Sequence, residues 1–253
     1  VLGLLWLAAM PAVDEQPTGP AFVIPAVVAY ALTTPLLLGA SIQPQVDGSA
    51  GVMLMGLAAL ILVTGQGRSH ETAAFLIAGI LIGLGRMEWV LAFAMAALAV
   101  LAAQVVLVAR APRYLPLVFV VGLVAGSALS YLASPADYLS GVDVMRRISA
   151  ASSGSFEAAR QQRPLMTPAL ILAAAALAFS APRLRTLLAD AGGTLILALG
   201  GIGVVAGFAA SNWSGDGFPR YYAPALVALA YAVVDLARRF SWSSLGRVAT
   251  VLL

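Results

Sequence analysis

The sequence predicts an all-α fold, a polytopic bundle of transmembrane helices forming a single transmembrane domain over residues 1–253. Two observations carry that prediction. Hydrophobic residues make up 61% of the chain and charged residues only 10%, against about 25% charged in an average soluble domain. A soluble protein of this length has too little polar side chain to cover such an interior, whereas a bilayer solvates it directly. The second observation is arrangement: apolar runs near the roughly 20 residues that cross a bilayer alternate with short polar connectors. The net charge of +3 is too small to imply nucleic acid. The absence of cysteine excludes a disulfide framework, a thiolate zinc site and a cysteine nucleophile. All 14 basic residues are arginine and Asn212 is the only asparagine, the residue usage of a GC-rich, bacterial coding sequence.

In chain order, the complete spans run from Ala21 to Ile42, Gly51 to Gln66, Trp89 to Ala109, Leu115 to Ser134, Leu165 to Pro182, Gly192 to Ala210 and Tyr221 to Ala237. Thr72 to Gly85 is short but extends through its flanks. Pro25, Pro35 and Pro168 fall inside spans, where membrane helices tolerate proline. The total is about eight full spans, with residues 1–12 and 248–253 as partial ones. Both ends lie within apolar runs, so the chain reads as an internal piece of a longer protein.

The arginines orient these spans. One alternate set of connectors holds Arg68, Arg110, Arg113, Arg183, Arg185, Arg238, Arg239 and Arg247 in short, net-basic loops, which places them in the cytoplasm. In the other set, Arg86, Arg146, Arg147, Arg160, Arg163 and Arg220 share their loops with Glu88, Asp137, Asp143, Glu157 and Asp216. Those connectors are therefore outside, and the chain is a multi-pass protein of the inner (plasma) membrane. The outer connectors are rich in acids, arginines and aromatics, so the chemistry belongs to that face.

Four outer stretches are candidates. Asp47 is the only charge in QPQVDGSAG, where it can act as a base or metal ligand, or simply start the next helix as a cap. Arg86 and Glu88 occupy the tightest connector; a guanidinium there can fork two hydrogen bonds to a phosphate. The alternative is an Arg86–Glu88 pair with Trp89 as an interface anchor. In residues 135–164, Leu139, Val142, Met145 and Ile148 recur at helical spacing and predict an amphipathic helix lying on the membrane. Arg146, Arg147, Arg160 and Arg163 would face headgroups or an anionic substrate, and Asp143 is a secondary candidate in the same stretch. The fourth stretch follows the polar loop containing Asp216: Arg220, Tyr221 and Tyr222 open an apolar helix, a composition suited to an anion, a snorkelling anchor or an aromatic belt. On the inner side, His70 is the only histidine. Asp235 lies near an inner helix end, at the right spacing to pair with Arg238 or Arg239.

Three stretches in order resemble the polytopic glycosyltransferases of the GT-C fold, which use polyprenyl-phosphate sugars on the outer face. That group includes the protein mannosyltransferases, lipid A aminoarabinose transferases, and mycobacterial arabinosyl- and mannosyltransferases. TTPLLLGASIQPQVDGSAGVMLMGLAALIL looks like the family's span, outer acidic loop and next span, with Asp47 at the acidic position. AGILIGLGRMEWVL is similar to its glycine-leucine helix ending in a basic residue, here Arg86, near the carrier phosphate. FPRYYAPALVALAYAV looks like its Arg-Tyr-x-x-Pro helix start, with Arg220, Tyr221 and Pro224 matching.

The resemblance implies that Arg86 and Arg220 hold the carrier phosphate, that Asp47 positions the acceptor or a metal, and that Tyr221 meets sugar or carrier. It leaves a divalent metal (Mg or Mn) open. The expected partners are membrane lipid, a polyprenyl-phosphate-linked sugar, and a glycan, lipid or protein acceptor. The family's catalytic acidic pair sits in its first outer loop. Asp14-Glu15 falls inside on this topology, so that pair is expected upstream of Val1. A rival reading is a multispan transporter or flippase for a lipid-linked or anionic substrate. That reading predicts ionisable groups near mid-bilayer and two matching halves, whereas the charges here cluster at span ends.

Overall fold

A computed structural model of the chain describes residues 46–108, 114–135, 171–177, 180, 183–209 and 218–239. Every regular element among them is a helix. They are α1 (Val46–Gly65), α2 (Glu71–Gly83), α3 (Met87–Leu107), α4 (Tyr114–Ala133), α5 (Leu184–Asp190), α6 (Gly192–Ala209) and α7 (Phe218–Arg238); residues 171–177 are also helical. The predicted spans from Ala21 to Ile42 and the amphipathic helix of 135–164 lie outside the described residues, as does most of Leu165 to Pro182.

Two helical segments are long and apolar enough to cross a membrane, Trp89–Leu107 in α3 and Tyr114–Ala133 in α4. A third qualifies if α5 and α6 are taken together. Their outward faces fit a lipid environment. Leu91, Met95 and Leu98 follow one another at helical spacing on α3, and Leu117, Val121 and Val124 do so on α4. All six are exposed, Val124 by 64% and Met95 by 63%. An apolar band of this kind is costly in water and is covered by lipid in a bilayer.

Two expectations change. The run Thr72 to Gly85 does not extend through its flanks. α2 has 13 residues, about 20 Å at the rise of an α-helix, short of the roughly 30 Å hydrocarbon core. It is bounded by the polar Arg68-Ser69-His70 turn, entered through Gly67 at a positive φ of 70°, and by Leu84-Gly85-Arg86, which breaks the helix. The second change is in the connector that holds Arg183 and Arg185, which forms the helix α5 up to Asp190 and turns at Ala191. The chain bends by 112° there, so α5 lies across the end of α6 rather than continuing it.

The packing follows from small residues. Gly79 and Gly83 of α2 face Gly122 and Gly126 of α4 in the same chain direction. A Cβ placed on Gly83 would sit 3.0 Å from Gly126 Cα, and one on Gly122 would sit 3.1 Å from Gly79 Cα. Two Gly-x-x-x-Gly ridges thus meet backbone to backbone, which is how membrane helices gain van der Waals contact without a hydrophobic driving force between them. Ser127 Oγ donates to the Gly83 carbonyl across the same seam at 3.4 Å.

α7 is the central helix, buried at every position from Pro224 to Leu236. It packs on α1 near Gly56, where Val227 Cγ1 fills the space beside the glycine. It also packs on α6, where Leu229 lies over Gly201. Phe93 of α3 closes the other side of α6 over Gly200. Its stretch from Pro224 to Val234 is apolar throughout and buried on every side, so this part of α7 is a core helix.

Candidate functional site

Two contact points set the register of α1 and α7. Gly56 meets Val227 near the middle of the pair, and Gln66 and Asp235 bond to the same Thr194 at the far end. The two helices therefore run parallel, and their N-terminal turns share one end of the bundle. α3 starts at that end too, because Trp89 in its first turn covers Gly51 in the second turn of α1. Asp47, Arg86 and Arg220, far apart in sequence, thus belong to three helix starts gathered at one end. The first turns of α1, α3 and α7 also bring the positive ends of three helix dipoles there.

Asp47 lies within the first turn of α1 rather than in a loop before it. Arg86 is the N-cap residue of α3, half-buried, with an extended backbone at φ −83° and ψ 150°. Glu88 is the second residue of α3. Arg220, Tyr221 and Tyr222 fall in the first turn and a half of α7. Pro224 stands four residues after Arg220 and has no N–H to give, so the Arg220 carbonyl lacks the normal helical bond. The Arg-Tyr-x-x-Pro spacing thereby loosens the turn that carries the arginine. Asp143, Arg146, Arg147 and Asp216 lie outside the described residues.

Trp89 corrects an expectation. It is not an interface anchor: it is 1% exposed, and its six-membered ring fits between Gly51 and Gly85. Two residues without side chains leave a slot that admits the ring. Its indole Nε1 is buried without a hydrogen-bond partner, a donor held beside three helix starts. A buried tryptophan N–H normally finds an acceptor, so this position has capacity for one. Gly85 stands just before Trp89 in the sequence, but that Gly51 of α1 completes the slot is visible only in the fold.

The opposite end of the bundle holds a buried polar chain that the sequence showed only in part. Asp235 pairs with Arg239, Nε to Oδ2 at 2.7 Å, and with Arg238 at 4.0 Å, as its helical spacing implied. Thr194 Oγ1 donates to Asp235 Oδ2 at 2.6 Å, and Gln66 Nε2 donates to Thr194 Oγ1 at 2.9 Å. Gln66, Thr194 and Asp235 are all at most 3% exposed. The chain ties α1, α6 and α7 together. Beside it, Gln104 of α3 donates from Nε2 to the Leu188 carbonyl at 2.7 Å, which holds α5 across the end of α6.

Among the described residues no group of three histidine, aspartate or glutamate side chains gathers to hold a metal, and no step below is routed through one. No protein-family model, no curated protein and no solved structure matches this chain.

Proposed function

We propose that this chain is a membrane glycosyltransferase of the GT-C type, moving a sugar from a polyprenyl-phosphate carrier to an acceptor on the extracytoplasmic face of the bacterial inner membrane. In this reading the chain is a multi-pass bundle of about seven full spans, with the shorter α2 packed among them and the amphipathic helix of residues 135–164 on the outer surface. The observation that carries the reading is the gathering of the helix starts of Asp47, Arg86 and Arg220 at one end of the bundle. These are the positions that the three motifs single out.

The transfer is inverting. A carboxylate takes the proton of the acceptor hydroxyl, the oxygen attacks the anomeric carbon, and the bond to the carrier phosphate breaks. The leaving polyprenyl phosphate keeps the bonding electrons. Arg86 and Arg220, with the three helix dipoles behind them, stabilise its charge. Tyr221 and Tyr222 line the approach of sugar or carrier, and Asp47 orients the acceptor. Glu88, Asp143, Arg146, Arg147 and Asp216 are secondary candidates on the same face.

The transporter reading needs an ionisable group free to cycle within the membrane. The buried carboxylate among the described residues, Asp235, is instead engaged by Thr194 and Arg239, which favours the enzyme.

The test is sugar transfer by the Asp47→Asn variant. Asparagine keeps the size and start-of-helix preference of aspartate but removes the charge. Transfer should fall by about 10²-fold or more, the scale of a lost positioned carboxylate, while thermal unfolding stays unchanged. Full activity in a folded Asp47→Asn protein would assign Asp47 to capping alone.

A further inference from the structure

The start of α3 gathers hydrogen-bond donors. Its helical ladder begins with the N–H groups of Trp89 and Val90, which donate to the Arg86 carbonyl at 3.0 and 3.2 Å. The N–H groups of Met87 and Glu88 precede that ladder, and the Arg86 side chain does not cap them. A further donor is the indole Nε1 of Trp89, buried and without a hydrogen-bond partner, a costly state for such a group. Filling the slot does not account for it. The contacts to Gly51 and Gly85 come from Cη2, Cζ3 and Cε3 of the six-membered ring, and phenylalanine also supplies a six-membered ring. What tryptophan adds is the N–H. The ring reaches from the first turn of α3 to the second turn of α1. Its donor therefore lies where the positive ends of a 21-residue and a 20-residue helix meet.

We propose that Trp89 is a phosphate-binding residue, its indole N–H donating to a phosphate oxygen held at the start of α3. The indole and the two backbone groups supply donors only, so the ligand must bring acceptors. A phosphate brings several, with the negative charge that a helix start favours. The indole is rigid and neutral, so it adds direction rather than charge, and a bond made out of water is strengthened by the low local dielectric. The inference rests on the reading of this end of the bundle as the phosphate end, and adds to it a residue that carries no charge. Nε1 is shielded from water, so the phosphate reaches it as the helix starts part slightly. The start of α7 is suited to yield, because Pro224 leaves the Arg220 carbonyl without its helical bond.

The experiment follows the tryptophan indole N–H signals of the full chain in neutral detergent by nuclear magnetic resonance. The chain has four tryptophans. The Trp89 signal is the one lost in Trp89→Phe, or the one that remains when Trp6, Trp213 and Trp242 are all replaced by phenylalanine. The chain is titrated with a polyprenyl phosphate or with inorganic phosphate, and polyprenol serves as the phosphate-free control. The Trp89 proton should move downfield with phosphate, as a donor does on gaining an acceptor, and stay in place with polyprenol. A response to the lipid alone assigns the site to a membrane carrier, and an equal response to inorganic phosphate assigns it to the free ion. Trp89→Phe should bind the same phosphate about five- to tenfold more weakly, the worth of one hydrogen bond. A Trp89 signal that stays fixed while polyprenyl phosphate binds, or that moves equally with polyprenol, would overturn the proposal and leave the carrier site standing. Failure of both phosphates to bind would remove the site and the proposal together.

Discussion

Asp235→Asn is expected to destabilise the bundle by about 3–5 kcal/mol, the cost of removing one partner from a buried ion pair. The carboxylate is 5% exposed and accepts from both Thr194 and Arg239 at Oδ2. Asparagine can still accept the threonine hydrogen bond. It cannot balance Arg239, nor the 8%-exposed side chain of Arg238. Two guanidinium groups then repel one another without the carboxylate between them. Thr194→Val removes the hydroxyl's bonds to Gln66 and Asp235 but leaves the carboxylate paired with Arg239, and interhelical side-chain hydrogen bonds are worth about 1–2 kcal/mol in membrane bundles. The order of effects is therefore Asp235→Asn well above Thr194→Val, read from unfolding in mixed micelles. Equal losses in the two variants would mean that the charge pairing adds little beyond the Thr194–Asp235 hydrogen bond.

Gly126→Leu is the second large effect. A Cβ at Gly126 would stand 2.9 Å from Gly83 Cα, and that neighbour is backbone, which cannot rotate away. Leucine adds three more carbons to the same gap. α2 and α4 must separate, losing the contacts along both glycine ridges and the Ser127–Gly83 hydrogen bond. Overpacking of a tight seam costs about 1–3 kcal/mol, and a seam without side chains to repack belongs at the upper end. Val124→Leu is the control, since Val124 is two residues away on α4 and 64% exposed; a substitution there is expected to change stability by less than about 0.5 kcal/mol. If Gly126→Leu unfolds no earlier than Val124→Leu, the close approach of the two helices is not what holds them.

The helices were largely legible in the sequence because apolar run length and helix length are the same physical quantity in a membrane. The predicted starts at Trp89, Leu115, Gly192 and Tyr221 fall within three residues of α3, α4, α6 and α7. α2 was legible as apolar but not as short, since hydropathy does not register that a polar turn and a Gly-Arg break stop a helix before it spans. The pairing of Asp235 with Arg238 and Arg239 was legible because they follow it by three and four residues at the end of one helix. Gln66 and Thr194 were not, because a lone polar residue in an apolar run does not name its partner 128 positions away. The glycines of α2 and α4 carried their four-residue spacing openly, yet only the fold shows that the two ridges face each other. Trp89 misled for a related reason: a tryptophan at a span end resembles an interface anchor until the empty slot between Gly51 and Gly85 is known.

The helix starts that carry Asp47, Arg86 and Arg220 were legible in the sequence, and their common location follows from helix direction. Spans that alternate in direction put every second helix start on the same side, and α1, α3 and α7 all begin there. What hydropathy could not supply was the lateral register that sets α7 beside α1 and turns Trp89 inward against Gly51.

Carrier affinity of the Arg220 variants tests the central claim most directly. The full chain is placed in nanodiscs, and binding of a polyprenyl-phosphate sugar is measured for wild type, Arg220→Lys and Arg220→Ala, with thermal unfolding as the control for folding. A guanidinium that forks two bonds to the carrier phosphate is not replaced by an ammonium. Lysine should therefore bind more weakly than arginine, and alanine more weakly still, by roughly 1.5–3 kcal/mol for a charge-assisted bond. Equal affinity for arginine and lysine would make Arg220 a snorkelling anchor. Undiminished affinity in Arg220→Ala would contradict a carrier-phosphate site at this end of the bundle.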